Sequence, residues 1–486
     1  MASKSVTMKK TYQKILIYTL LPSLLFLGAC ERILDVTPRQ SIDSSIALES
    51  PEAIQAALNS VYAYLRATSQ YGRDLIAIPE LLADNTNHTN NPTTLYGQFR
   101  NQPGAHMGIW GSSYSAINEV NNILKVLQNP PQGVSQEFSE AIEGQARFLR
   151  ALYYHNLSKI YGYDPKASVD AVNYGSVPLL TQPVLSTDDI TYPKRADVED
   201  VYAQIYRDLD SAYTLLSGKT IEASDPEYYA SASAAAALLS RVALYNEDYE
   251  TVITEAGKSL EVSSGKFMSN ASYIAGWRAM KLPESIFEVV FHLGDHADPV
   301  NESLRATFTS RQTLSSTTFV NRGNVVVAPD LKALYSNNDV RADLFITGLG
   351  RNSSRTEITK FLSRSAVNHD NVPVIRVAEV YLNRAEAYAH TNQDDLARAD
   401  VNMIRERAGL DPVSNTLTGD DLLEEILLQR RLELAFEGHR FFDLKRQGKD
   451  IIKPIGNVRF EEPRILAPIP YTEVERNNQL DQNFDY

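Results

Sequence analysis

A mainly α fold is what this 486-residue chain predicts. Three observations carry that expectation. Apolar residues recur three and four apart over eight long segments, strand-like alternation is confined to two short pieces, and one pattern of apolar, arginine, small and tyrosine residues appears three times in the helical segments. The expected architecture is a set of tetratricopeptide-like helix pairs with an irregular, loop-rich lobe and little β structure.

The periodic segments are Glu52–Ala67, Ile109–Leu127, Gln136–Ile160, Val198–Leu216, Tyr229–Leu260, Val374–His390, Asp394–Ala408 and Asp420–Phe436. Their ends carry helix punctuation. Ser50-Pro51 reads as a cap with proline at the first helical position, Asp420-Asp421 places acid at a helix start, and Gly409 and Gly438 fall where stops are wanted. The two alternating pieces are Ile286–His292 and Asn324–Ala328, so any sheet is small. Two stretches have no period: Leu82–Gly108, rich in Asn, Thr, Pro and Gly, and Ser263–Asn371, the irregular lobe. Binding residues usually sit on such loops, held by a rigid frame.

The internal echo is Phe148-x-Arg150-Ala151-x-x-Tyr154, Leu239-x-Arg241-Val242-x-x-Tyr245 and Leu382-x-Arg384-Ala385-x-x-Tyr388. Small residues let helices approach and tyrosine fills the gap between pairs, so the echo is expected to be architectural. The copies lie much further apart than the roughly 34-residue tetratricopeptide period, which makes an interrupted scaffold with long insertions.

The single cysteine, Cys30, fixes the expected address. Lys9, Lys10 and Lys14 precede an apolar core from Ile15 to Leu27, shorter than the roughly 20 residues of a membrane span, and Leu27-Gly28-Ala29 leads into the cysteine. This is the layout of an export signal, and its ending resembles the bacterial lipobox. That resemblance implies cleavage before Cys30 and acylation of its thiol, with attachment to the membrane through lipid only. The alternative is an ordinary secretory signal that leaves Cys30 as a free thiol. The formal charge of −13 becomes more negative once the four lysines before Cys30 are removed, and no basic tract follows. Nucleic acid and anionic head groups are therefore not expected partners.

The run Arg431-Leu-Glu-Leu-Ala-Phe-Glu-Gly-His-Arg-Phe-Phe-Asp-Leu-Lys-Arg446 resembles the signature of the SusD/RagB family of outer-membrane nutrient-binding lipoproteins. Supporting runs are Ala378–Tyr388, Asn402-x-x-Arg405-x-Arg407-Ala408-Gly409-Leu410, the ending from Pro468-Ile469-Pro470, and Leu34-Asp35-Val36-Thr37-Pro38 behind the cysteine. The tail departs from the family pattern with Phe484-Asp485 before the last tyrosine, as do Gln429-Arg430 where acids are common. The resemblance implies a SusD-like helical fold in three parts: a lipoprotein signal over 1–29, an N-terminal part over 30–215, and a C-terminal part over 216–486 that includes the lobe at about 263–371. It also implies a non-catalytic surface lipoprotein that delivers a nutrient, an oligosaccharide first and an oligopeptide as the alternative, to a SusC-type TonB-dependent transporter. An exported hydrolase on a helical scaffold is the alternative of another class.

For the hydrolase, Glu433, Glu437, Arg440 and Asp443 are the tempting charges. Their spacing of three to four favours pairing with one another around Gly438. His292 and His296 beside Asp295 and Asp298 offer a zinc pattern, but Gly294 favours a turn. The oxygen-rich Asp84–Asn91 segment would suit calcium but lacks a hand-type loop's glycine and terminal glutamate, so no metal or other cofactor is expected. For ligand contact the candidates are Trp277 and Arg278, read as solvent-facing, with Asn87, Tyr96 and Arg100 in the first loop; Trp110 is expected in the core.

Overall fold

The serine before Pro51 caps the first helix as its position predicts, its hydroxyl accepting the Ala53 N–H at 3.2 Å. In the computed structural model, residues 48–90, 94–219, 224–292, 302–363 and 370–486 are described. Cys30 and the preceding signal lie outside them, as do His296, Asp295 and Asp298 of the zinc pattern. The unit that builds the fold is Ser50–Tyr486.

Its elements, in chain order, are α1 (Pro51–Tyr64), α2 (Asp74–Leu82), β1 (Thr86–His88), α3 (Tyr96–Phe99), α4 (Trp110–Val126), α5 (Gln136–Tyr161), α6 (Val198–Leu216), α7 (Ala232–Tyr245) and α8 (Tyr249–Ser263). The lobe follows with α9 (Asn270–Trp277), β2 (Ser285–Val289), α10 (Leu304–Phe308), β3 (Val325–Val327), α11 (Pro329–Ala333), β4 (Phe345–Thr347), β5 (Thr356–Ile358) and β6 (Val372–Arg376). The chain then returns to helix: α12 (Val377–His390), α13 (Asp394–Ala408), α14 (Gly419–Glu433), α15 (Arg440–Arg446) and α16 (Tyr471–Arg476). Helices α1 and α4, α5 and α6, α7 and α8, and α12 and α13 pack as pairs; α4 lies on α5, α6 on α7 and α8 on α12. A mainly α, SusD-like frame with little β is what results.

The echo is architectural, and each arginine shows how. Arg150 on α5 forks onto Asp208 of α6 at 2.6 and 2.8 Å, and Arg384 on α12 grips Asp400 of α13 at 2.7 and 2.8 Å. Arg241 on α7 reaches past its pair to Glu379 of α12, tying two pairs together across the lobe insertion. Tyr154 and Tyr245 are buried beside them. Bidentate pairing of this kind fixes orientation as well as distance.

Three expectations change. Tyr229–Leu260 is not one helix: Glu247 takes a left-handed φ of 54°, and Asp248 caps a new helix by accepting the Thr251 N–H. The segment from Val374 begins as strand β6, because Val372, Pro373, Ile375 and Arg376 pair with β2, and turns helical only at Val377. Helix α2 shows no sequence period, since all its residues but Asp74 are buried and the helix is apolar nearly all round. Among the described residues the strands form an antiparallel sheet ordered β1-β3-β5-β4 and the β2-β6 pair.

Candidate functional site

Two of the five sequence candidates, Tyr96 and Arg100, come together beside the edge strand of the four-stranded sheet, while Asn87 points to the other side of that strand from His88. Asn87 sits half-buried in β1 opposite Val326 of β3. His88 next to it accepts the Asn90 N–H on Nδ1 at 3.1 Å and donates from Nε2 to the Thr94 carbonyl at 2.9 Å. Both ring nitrogens are used by the neutral ring, and burial, with Arg355 nearby, lowers its pKa against the opposing pull of that carbonyl. Leu95 then takes a left-handed φ of 60° and tips the chain into α3, which sets Tyr96 edge-on to His88 at 5.4 Å between ring centroids. The Arg100 guanidinium lies 5.9 Å from the Tyr96 ring centre. Tyr96 is half-buried and Arg100 exposed.

A second cluster comes from the lobe, on the side of the sheet that Asn87, Val326 and Glu357 share, and was not singled out from the sequence. Phe319 is 37% exposed, with the guanidinium carbons of Arg311 and Arg351 each 5.3 Å from its ring centre. Arg351 donates to the carbonyls of Phe319 at 2.8 Å and Asn321 at 3.1 Å, and Arg311 to that of Ser316 at 2.9 Å. Arg322 reaches Thr94 Oγ1 at 3.2 Å and Arg355 the Thr89 carbonyl at 2.9 Å, stitching the lobe to the first loop. Beneath them Glu357 of β5 is buried and accepts from the Ser310 N–H at 2.9 Å and its hydroxyl at 3.1 Å. Burial raises the Glu357 pKa, while Ser310, Arg311 and Arg351 pull the other way. Gly350 packs so closely that a Cβ there would lie 2.0 Å from Glu357 Oε1. The result is an aromatic and arginine-lined surface on a braced sheet. One signal was available: no Asp or Glu occurs between Glu302 and Asp330 or between Asp343 and Glu357, although arginines do.

Trp277 and Arg278 are not on this face, and their expected exposure is corrected. Trp277 is 4% exposed at the end of α9, packed with Met268, Tyr273, Leu282 and Leu344. Lys360 Nζ stands 4.6 Å from its ring centre. The cavity beside it has a volume of about 20 Å³, room for a water and not for a sugar ring. Arg278 turns inward to the carbonyl and hydroxyl of Thr359. Trp110 is in the core as expected, edge-on to Tyr161 at 5.1 Å.

The four tempting charges are structural, but they do not pair with one another. Glu433 and Glu437 both bind Arg376, at 2.6 and 2.7 Å, with Arg407 adding to Glu433 and Lys360 to Glu437. Burial works to raise the Glu433 pKa, yet Arg407, Arg376, Arg341 and Lys360 together outweigh it and hold the carboxyl well below its usual range. Arg440 instead grips Asp84 at 2.7 and 2.9 Å, and Asp443 takes Arg430 and Arg446. Sequence spacing missed this because the cations come from β6, β5's flank and α13. Asp84, the one carboxylate in the oxygen-rich segment, is thereby committed to arginine, with Arg431 as its second partner at 3.1 Å.

A rigid array of helix pairs that holds out a polar, aromatic loop face, with its signature carboxylates locked inside, defines a binding protein. Residues 347–486 match the SusD family, and residues 33–244 match a SusD-like family described as starch-binding associating with outer membrane. The chain belongs to the SusD/RagB family. It is 24% identical to SusD-like protein P38 of Formosa agariphila, aligning 99% of this chain with 100% of that one, and 23% identical to SusD-like protein P25 of the same organism over 96% and 97%. Over 26% of its length it is 28% identical to the starch-binding protein SusD of Bacteroides thetaiotaomicron. A SusD superfamily protein from that organism superposes with a TM-score of 0.78 at 23% identity, covering 89% of this chain and 99% of that one. A SusD-like carbohydrate binding protein from Bacteroides vulgatus gives 0.74 at 21%, covering 89% and 97%. These superpositions establish the fold. As a family member the chain is a non-catalytic binding protein of the outer membrane that pairs with a SusC-type transporter, and not an enzyme.

Proposed function

We propose that this protein is an exterior-facing lipoprotein that captures an oligosaccharide and passes it to its SusC-type TonB-dependent partner. Removal of residues 1–29 would leave Cys30 as the acylated terminus and sole membrane attachment. The observation that carries the ligand assignment is the loop face itself: Tyr96 with Arg100 against its ring, and Phe319 flanked by Arg311 and Arg351. A sugar offers an apolar ring face for stacking and a rim of hydroxyls for planar donors, and this surface supplies both. Carbohydrate binding by the similar proteins from Bacteroides supports the same choice.

The test is isothermal titration of the soluble form from Glu31 onward against an oligosaccharide panel and a mixed peptide digest, repeated with Tyr96→Ala and Phe319→Ala. Sugar binding weakened about tenfold or more by either substitution supports the assignment. Heat with peptides alone moves the protein to the oligopeptide branch. Sugar binding untouched by both substitutions removes the site.

A further inference from the structure

Across the chain acids outnumber bases, with 60 Asp and Glu against 47 Lys and Arg, yet on the loop face the balance is reversed. Elsewhere the arginines of the frame are neutralised: Arg150 by Asp208, Arg241 by Glu379, Arg384 by Asp400. Arg311, Arg351 and Arg355 differ. Among the described residues their partners are the carbonyls of Ser316, Phe319, Asn321 and Thr89, and no carboxylate reaches ion-pair distance. A carbonyl orients a guanidinium without cancelling its charge.

The one carboxylate beneath the cluster acts on Arg311 and Arg351 through space without pairing with either. Glu357 is buried, and both Ser310 donors hold its Oε2 while Gly323 and Gly350 pack against Oε1. Arg311 and Arg351 each place a guanidinium 5.3 Å from the centre of an exposed ring, with Arg355 held on the Thr89 carbonyl beside β1. A ligand that matches this must be flat and apolar in its middle and anionic at its periphery. A neutral sugar satisfies only the first demand and leaves several unpaired cations facing it. Flexible basic tails suit phosphate backbones; here the guanidiniums are pinned beside a ring at fixed spacing, which suits a sugar ring bearing its own acid.

Resting on the glycan reading above, we propose that the ligand is an acidic oligosaccharide, its carboxylate or sulfate groups bound by Arg311, Arg351 and Arg355 while a sugar ring lies on Phe319. Binding is then strongest at low salt, since exposed charge pairs are screened within about 10 Å at 0.1 M ionic strength.

The soluble form from Glu31 onward is titrated with an oligouronide, a sulfated oligosaccharide, a neutral oligoglucoside of the same length and a single-stranded oligonucleotide, at about 50 and about 500 mM NaCl. The expected result is that one acidic sugar binds at least about tenfold tighter than the neutral one at low salt, and loses most of that advantage at high salt. The uronide and sulfate arms identify which acid is read. Arg355→Gln and Arg311→Gln should each weaken the acidic sugar about tenfold while the variants remain folded by circular dichroism. Neutral sugar bound as tightly as acidic sugar overturns the proposal and leaves the glycan reading standing. An oligonucleotide bound as tightly as the acidic sugar also overturns it, by exposing a general polyanion surface. Binding of no sugar overturns both. The salt comparison on the unaltered protein decides the matter even where a variant fails to fold.

Discussion

Arg376 is 1% exposed and donates five hydrogen bonds: to Glu437 twice at 2.7 Å, to Glu433 Oε1 at 2.6 Å, to the Glu433 carbonyl at 2.9 Å and to Glu284 at 3.1 Å. Replacing it by methionine removes the charge and keeps most of the volume. Breaking a buried ion pair usually costs about 3–5 kcal/mol because a charge is left behind without compensation. Here no carboxylate is wholly abandoned: Arg407 still meets Glu433 at 2.6 Å and Glu284 at 2.9 Å, and Lys360 still meets Glu437 at 2.6 Å. Arg376→Met should therefore fall at the low end, about 3 kcal/mol. Lys360→Met leaves Glu437 with Arg376 and should cost about as much. In the double variant Glu437 has no cation left at ion-pair distance, so its loss should exceed the sum of the two single losses by about 1–2 kcal/mol. Protonation of Glu437 relieves the excess, which should shrink as pH is lowered from about 7.5 to about 5. Urea unfolding of all four proteins, with m-values checked for constancy, measures the cycle. Additivity within about 0.5 kcal/mol at both pH values would show that the carboxylates do not share their cations as the geometry requires.

Three further outcomes are expected. Lys159 is buried with its ammonium 4.4 Å from the Phe442 ring centre, and burial lowers its pKa from 10.5 to about 7. The folded state then binds fewer protons than the unfolded between those values, so this residue's penalty, up to about 5 kcal/mol, is full below pH 7 and fades as pH rises towards 10.5. Lys159→Met should melt higher than the parent at pH 6.5, with the gap closing by about pH 10; a gap that widens with pH refutes the sign. Gly438 has φ +82°, and a Cβ there would lie 2.3 Å from the Leu75 carbonyl oxygen, so Gly438→Ala should cost at least about 2 kcal/mol by denaturant unfolding. Arg150→Met leaves the fully buried Asp208 with Arg147 alone at 3.2 Å and should lower stability by about 3 kcal/mol; a loss under about 1 would deny the echo its bracing role.

Helix existence was legible because most frame helices bury one stripe and leave another in water, which writes a period into the sequence. Where burial is uniform the period vanishes, as in α2. Where a strand runs directly into a helix, as at Arg376–Val377, one apolar stretch serves both and the boundary is hidden. The echoed arginines showed the repeat without showing their partners: Asp208, Asp400 and Glu379 lie on other helices, and the reach of Arg241 across the whole lobe insertion leaves no trace in local spacing. The same non-locality explains why Glu433, Glu437, Arg440 and Asp443 looked like one pairing set until Arg376, Arg407 and Lys360 came in from three separate segments.

The candidate face was half legible for a related reason. Asn87, Tyr96 and Arg100 share one loop, so composition alone brought them together. Phe319 and its arginines reach the same edge only because β3 pairs with both β1 and β5, carrying residues 311–323 and 348–355 alongside residues 88–100. Trp277 was drawn in by its polar neighbour Arg278, whose guanidinium turns inward to Thr359. Net charge says least about this face, because it averages over a chain in which most buried arginines already hold a carboxylate. Subtracting those pairs leaves the charge that the face presents. What a partner senses is the residue of that subtraction, and on this face it is positive although the chain is acidic.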